Sequence, residues 1–283
     1  MVGEAIPYFY LESIEVWGEA ITLTMLAVIL ARVFLRLFVS LYETKRLKLS
    51  YIVIIGMFIL EFFLSPIISQ GFYFISRIIL HGEDPGYLIE RLIDIGAFGG
   101  EIQFGGLLGN VASIFLGAYL FGAMKDVYKY LDIKMFAYVF SLIPVRIATG
   151  LKHFHLGTVT DVPWGIKFPD GTIRHEPSFY EALSLAIIFL IALLIRKKIK
   201  RPGLLSLIIF SWISLSRVIT DNFRSTETGA IFRFDCGFTL NQIVYGAIFT
   251  LSAGTIYCLW KKHRNQVLEN VNANKRKEGS CIS

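Results

Sequence analysis

The sequence predicts an all-α membrane protein: a bundle of seven transmembrane helices with a small extracytoplasmic head containing a short hairpin. Three observations carry this reading. Of 283 residues, 54% are hydrophobic and 18% charged, with a mean hydropathy of +0.59, more apolar surface than one soluble core hides. Seven apolar windows are present, 17–37, 51–70, 104–123, 135–150, 179–195, 204–221 and 239–260; all but the short fourth, whose start is expected to lie earlier, are near the length that crosses a hydrocarbon layer of about 30 Å. The basic residues gather in alternate connections between them.

That charge pattern orients the bundle. The first connection carries Arg32, Arg36, Lys45, Arg46 and Lys48, the third Lys125, Lys129 and Lys134, and the fifth Arg196, Lys197, Lys198, Lys200 and Arg201; the tail adds Lys261, Lys262, Arg264, Lys275, Arg276 and Lys277. Nineteen of the 28 Lys and Arg thus lie on one side, which the positive-inside rule assigns to the cytoplasm. The N-terminus, with Glu4, Glu12, Glu15 and Glu19, is then outside and the C-terminus inside a multi-pass protein of the cell membrane. The basic clusters are short and juxtamembrane, so the net charge of +6 is a topology signal and no nucleic-acid partner is expected.

The first window lacks a basic n-region, and it is expected to remain as a reverse-oriented anchor. The second holds Glu61 near its centre, a lone acid expected to face the bundle interior, protonated or paired with a buried polar group such as Asn110. The third opens on Gly105-Gly106-Leu-Leu-Gly109. Small-xxx-small packing between Gly105 and Gly109 is one reading, and backbone N–H groups open to an anion at a helix start is the other. The fourth ends near Arg146, and the fifth begins with Ser178 to Glu181.

Between them, the outer loop 151–178 is expected to form a short hairpin turning at Pro169-Asp-Gly171, with two readings, a cap over the site or a receiver for an extended peptide. His153, His155 and His175 in this loop lack a further ligand at zinc spacing, so no metal and no cofactor are expected. Cys236, Cys258 and Cys281 are too few and scattered for a disulfide framework. Residues 1–264 read as one membrane domain and 265–283 as a polar, disordered cytoplasmic tail.

The sixth window ends in Leu215-Ser-Arg-Val-Ile-Thr-Asp-Asn-Phe-Arg224. Arg217, Asp221 and Arg224 stand at i, i+4 and i+7, one charged face of a helix at membrane depth. Guanidinium groups stay charged in apolar surroundings and grip phosphate oxygens through a planar fork, so Arg146, Arg217 and Arg224 converging at the outer headgroup level would form a phospholipid-head site. Asp221 is placed to orient the arginines; a structural ion pair is its other reading.

Taken in order, these segments resemble the prolipoprotein diacylglyceryl transferase family. Trp17-Gly18 stands where the family has a Trp-Tyr-Gly-like start to its first span. Phe104-Gly-Gly-Leu-Leu-Gly109 is similar to its His-Gly-Gly-Leu segment. Pro144-Val-Arg146-Ile falls at the arginine of Arg-x-x-Asn-Phe-x-Asn-Gly-Glu, followed by Gly157. Arg174-His-Glu-Pro-Ser-Phe-Tyr-Glu181 resembles Arg-His-Pro-Ser-Gln-Leu-Tyr-Glu, Ser216 to Arg224 resembles Phe-Arg-x-x-x-Glu-x-x-Arg, and Leu240-Asn-Gln242 resembles the Gly-Gln that opens the last span.

The resemblance implies an enzyme that moves a diacylglyceryl group from phosphatidylglycerol, or an equivalent host phospholipid, to the lipobox cysteine thiol of a secreted prolipoprotein. Its partners would be a membrane phospholipid donor and a lipobox-containing prolipoprotein. Arg146 and Arg217 would be catalytic. Trp17, Gly105, Gly106, Gly157, Tyr180, Glu181, Asp221, Arg224 and Gln242 would bind or position substrate. Phe104 stands in place of the family's base histidine, Trp17 in place of a tyrosine, and Thr149, Lys152 and Phe154 in place of Asn, Asn and Glu. His153, His155 and His175 are the candidate replacement bases. Two alternatives stay open: a related transferase with another lipid donor or acceptor, and a non-catalytic membrane protein that binds lipid or lipoprotein.

Overall fold

A computed structural model describes residues 6–7, 14–16, 19–21, 23–81, 84, 86, 103–153, 155–225, 234 and 237–280. Trp17 lies outside them, as do Gly18, Phe154, Cys236 and Cys281. Seven α-helices stand among the described residues: α1 Leu23–Arg46, α2 Tyr51–His81, α3 Gln103–Leu120, α4 Val127–Leu151, α5 Pro177–Ile195, α6 Leu204–Thr220 and α7 Leu240–Ser280. Each overlaps one of the seven apolar windows. By length and composition, four stretches are long and apolar enough to cross a membrane: Tyr51–Phe72, Pro177–Ile195, Leu204–Phe223 and Leu240–Gln266. Phe104–Leu120 is a shorter apolar helix.

The side-chain distribution is that of a protein dissolved in lipid. Phe62, Leu194 and Leu251 are each more than 70% exposed, whereas Arg36, Glu61, Lys134 and Arg217 are buried. Apolar groups turned outward and charges turned inward invert the soluble pattern. The apolar core lies mainly where α4, α5 and α6 meet, around Met135, Val139, Leu142, Ile188, Ile209 and Ile213. A second cluster, around Ile54, Met57, Ile114 and Tyr130, joins α2 and α3 to the start of α4.

Glycine sets the α2–α3 contact. A Cβ on Gly105 would lie 2.5 Å from the Ser69 Cα, and one on Gly109 would lie 2.4 Å from the Ser65 Cα. The backbones therefore meet through a small-xxx-small seam, the first of the two readings of that segment. Gly106 is looser, and its carbonyl accepts from Ser65 Oγ at 3.2 Å.

The placement of some basic residues and the partners of Glu61 differ from the expectation. Arg32, Arg36 and Lys134 lie within α1 and α4, not in connections. Glu61 faces the bundle interior as expected, but its partner is not Asn110: it accepts from Arg36 Nη1 and, at 2.5 Å, from Lys134 Nζ. At the far end of α1, Glu43 joins Arg46 and Arg196. The start of α6 is capped from another helix, where Asp132 accepts from the Gly203 and Ser206 N–H groups, each at 2.8 Å. Those donors would otherwise be orphaned at a buried helix start.

The hairpin forms as predicted, with β4 (Ile166–Lys167) antiparallel to β5 (Ile173–Arg174). Gly171 takes φ +85°, the left-handed conformation that its lack of a Cβ permits, and Asp170 Oδ1 accepts from the Thr172 N–H at 2.9 Å. β1 (Ile6–Pro7) lies parallel to β4, and β2 (Ile14–Val16) pairs with β3 (Glu19–Ile21). Where a disordered tail is expected from about Asn265, α7 continues to Ser280.

Candidate active site

Helices α3, α5 and α7 start, and α4 and α6 end, at the pole that carries the loop and hairpin. Arg146 reaches this pole one turn before α4 ends, and Arg217 less than one turn before α6 ends. Pro177 opens α5, as suits a residue with no N–H to leave unpaired, and sets Glu181 in the second turn.

Glu181 gathers the arginines. Its Oε2 lies 2.9 Å from Arg146 Nε, and its Oε1 accepts from Arg217 Nη1 and, at 2.8 Å, from Arg224 Nη2. All four groups are buried. Family resemblance had marked Glu181 only as a positioning residue; the geometry makes it the hub.

The charged stripe on one helical face is not what forms. The backbone tightens into a 3-10 turn over Asp221–Phe223, and Arg224 is extended at φ −89°, ψ 134°. Arg224 reaches Glu181 because its backbone pairs with the loop: Thr158 N donates to Phe223 O at 2.9 Å, and Ser225 N to Leu156 O at 2.8 Å. Asp221 lies 3.6 Å from Arg224 Nε and accepts from Thr239 Oγ1. It supports the cluster from below, and Glu181 takes the bridging role that spacing gave to Asp221.

Gln242 is a helix cap. Its Oε1 accepts from Thr239 N at 2.9 Å, while its own N–H donates to Thr239 Oγ1 at 3.0 Å, the reciprocal pair of a capping box. Its Nε2 reaches Val218 O and Asn222 Oδ1, which ties α7 to the end of α6. Thr239 was missed in the sequence, although Thr-x-x-Gln before an apolar run is a legible signal.

The three histidines separate. His153 Nδ1 lies 2.9 Å from Glu176 Oε2, pinning the end of α4 to the hairpin. His175 Nδ1 lies 2.7 Å from the Tyr180 hydroxyl, which also accepts from Trp164 Nε1 at 3.0 Å, and both rings pack on Phe223. Tyr180 thus anchors the hairpin. His155 precedes Leu156 in the loop segment bridged to Arg224–Ser225 and stands in the field of the arginines. Burial, then Arg224 and Arg146, holds its pKa down to about 3, against the opposing pull of Glu181.

Gly157 permits the close packing of this loop segment, since a Cβ there would lie 1.9 Å from His175 O. Phe104 puts a ring, and no base, between Phe72 and Tyr245, at 5.3 and 6.0 Å. A narrow cleft between α5 and α6, lined by Ser184, Leu185, Trp212, Ile213 and Ser216, reaches Glu181 and Arg217.

Three guanidinium groups against Glu181 and Asp221 leave a surplus positive charge in a buried setting. Such a site suits an anion with several oxygens, above all a phosphate. The model of the family described as prolipoprotein diacylglyceryl transferase matches residues 21–260. Proteins named phosphatidylglycerol–prolipoprotein diacylglyceryl transferase from Brucella ovis, Brucella canis and Brucella abortus are each 27% identical over 186 residues. That alignment covers 63% of this chain and 64% of each relative, so the chain spans just under two thirds of their length. The matched region takes in the first six helices, the start of the seventh and every member of the arginine cluster, and the chain belongs to the prolipoprotein diacylglyceryl transferase family.

Proposed function

We propose that this chain transfers a diacylglyceryl group from phosphatidylglycerol, or an equivalent host phospholipid, to the lipobox cysteine of secreted prolipoproteins. The carrying observation is the convergence of Arg146, Arg217 and Arg224 on Glu181 with positive charge in surplus. All seven helices span the membrane, with the arginine pole and hairpin outside, the N-terminus outside and the C-terminus in the cytoplasm. Support comes from the opposite pole, where Lys45, Arg46, Lys125, Lys129, Lys197 and Lys198 stand at or beside helix ends, and from Lys261 and Lys262, which follow the apolar part of α7.

In this reading the arginines grip the lipid phosphate. The cysteine sulfur attacks the glycerol carbon bearing it; the S–C bond forms, the C–O bond breaks, and glycerol phosphate leaves. Charge grows on the departing phosphate, so Arg146 and Arg217 bind the transition state more strongly than the lipid. The thiol proton passes to His155, the histidine that neither Glu176 nor Tyr180 holds. Bound phosphate offsets the arginine share of this depression and so raises the proton affinity of His155 when the proton must be taken, while burial, the larger cause, still opposes it. A thiol with pKa near 8.5 is already about 3% thiolate at pH 7, which lessens the demand on this base.

The test is a lipobox-peptide transfer assay with the purified protein in phosphatidylglycerol liposomes. Wild type is expected to form the diacylglyceryl thioether over many turnovers, and His155→Ala to slow it by about 10²- to 10⁴-fold. No labelling of the peptide from any host phospholipid would overturn the reading.

A further inference from the structure

Tyr245, on the second turn of α7, has no place in the family resemblance and no task in the mechanism above. Its side chain is 1% exposed. Its hydroxyl is buried without a hydrogen-bond partner among the described residues. A phenol hydroxyl taken out of water and left unpaired is disfavoured, and buried Tyr hydroxyls ordinarily find a partner.

The position is not accidental to the site. Arg217 places its guanidinium carbon 5.8 Å from the centre of the Tyr245 ring. Phe104 meets that ring edge-on at 6.0 Å, with Phe72 behind it. The electrostatic neighbours of the hydroxyl include Arg217, Tyr138, Arg146 and Glu181. The backbone is held as well, because Gln242, one turn earlier, is locked into the Thr239 cap and onto the end of α6. An orphaned donor thus stands on fixed backbone beside Arg217, one of the two arginines that the mechanism uses.

We infer that the Tyr245 hydroxyl is a further substrate-binding group of this site, donating a hydrogen bond to an oxygen of the lipid phosphate held by Arg217. The inference rests on the transferase reading for its reaction and on the phosphate site for its ligand. A free phenol has a pKa near 10, so at neutral pH the group donates and does not serve as the base. Phe104 contributes a ring and no polar atom, and it backs the Tyr245 ring from the side where the family keeps a histidine. Because the phosphate gains charge as the C–O bond breaks, a donor aimed at its oxygens acts on kcat more than on KM.

The test substitutes Tyr245→Phe, which removes one oxygen and keeps the ring contacts with Phe104 and Arg217. In phosphatidylglycerol liposomes, kcat for the lipobox peptide is expected to fall about tenfold or more, with KM for the lipid changing less. In detergent without phospholipid, the unfolding temperature is expected to hold or rise, because a buried unpaired hydroxyl has been removed. Adding phosphatidylglycerol is expected to raise the unfolding temperature of the variant less than that of wild type. Unchanged kcat together with an equal rise would overturn the inference, as would a lowered lipid-free unfolding temperature, which marks a structural hydroxyl. If wild type never transfers lipid, the transferase reading fails, and the unfolding measurements still judge Tyr245 as a phosphate ligand.

Discussion

Two buried clusters in this protein set several cations on one carboxylate, and they differ in what surrounds them. In the first, Glu61 holds Arg36 and Lys134 from three helices. Aromatic rings close it: Lys134 Nζ lies 4.1 Å from the Phe58 ring centre, and the Arg36 guanidinium lies 5.0 Å from that of Tyr138. In the second, Glu181 holds three arginines at helix ends, bordered by loop backbone, a short 3-10 turn and the cap of α7. A charge cluster sealed by helices and rings joins helices together; the one built from helix ends and loops is where the proposed phosphate site lies. About twelve residues of α4 separate Lys134 from Arg146, roughly 18 Å of helix rise. One helix therefore carries both a lock and a site.

The sharpest break between the two comes from deleting Glu61. Glu61→Ala leaves two buried cations facing each other and is expected to cost about 3–5 kcal/mol of stability. Thermal unfolding in detergent measures it, and the activity of the remaining folded protein should stay near wild type. A stable but inactive Glu61→Ala protein would erase the distinction.

Arg217→Ala should do the reverse. Glu181 keeps Arg146 and Arg224 as partners, so the fold should survive, while peptide transfer falls about 10²- to 10³-fold. Circular dichroism and the transfer assay on one preparation separate the two outcomes.

A weaker effect follows from His155. The unfolded chain takes up a proton on this group as pH falls below about 6.5, the ordinary imidazole value, whereas the folded protein resists protonation down to about pH 3. Its contribution to stability is thus full above about pH 6.5 and is lost as pH falls toward 3. His155→Gln should flatten that acid slope in unfolding temperatures measured between pH 4 and 7.5. An unchanged slope would remove His155 from the arginine field.

Smallest is Thr239→Val. It removes the hydroxyl that Asp221 and the Gln242 N–H both use, at a cost of about 1 kcal/mol. Transfer should slow severalfold through loosening of Asp221 and Arg224, with little change in lipid KM. Equal loss of lipid affinity and rate would instead make Thr239 a direct ligand.

Much of the fold was legible because its signals are local. Each apolar window became a helix, and Pro169-Asp-Gly171 became the turn of a hairpin. The glycine segment of α3 shows the limit: Gly105 and Gly109 permit both packing and anion binding until α2 is in place, and only then does the Ser69 backbone occupy the space. The histidines show it again, since spacing left His153, His155 and His175 equal, and Glu176 and Tyr180 engaged two of them.

By itself, the sequence determined the solvent, the helices and the arginines gathered near one set of helix ends, because hydropathy and charge asymmetry act through composition along the chain. Only the tertiary structure decided which acid meets which base. Asp221 is nearest Arg217 in sequence, yet Glu181, 36 residues away, bridges it to Arg146 and Arg224, and Glu61 finds Lys134 at a separation of 73 residues. The reason is physical: a buried charge is held by whichever partner the packed helices bring within hydrogen-bond reach, and separation along the chain does not measure that distance.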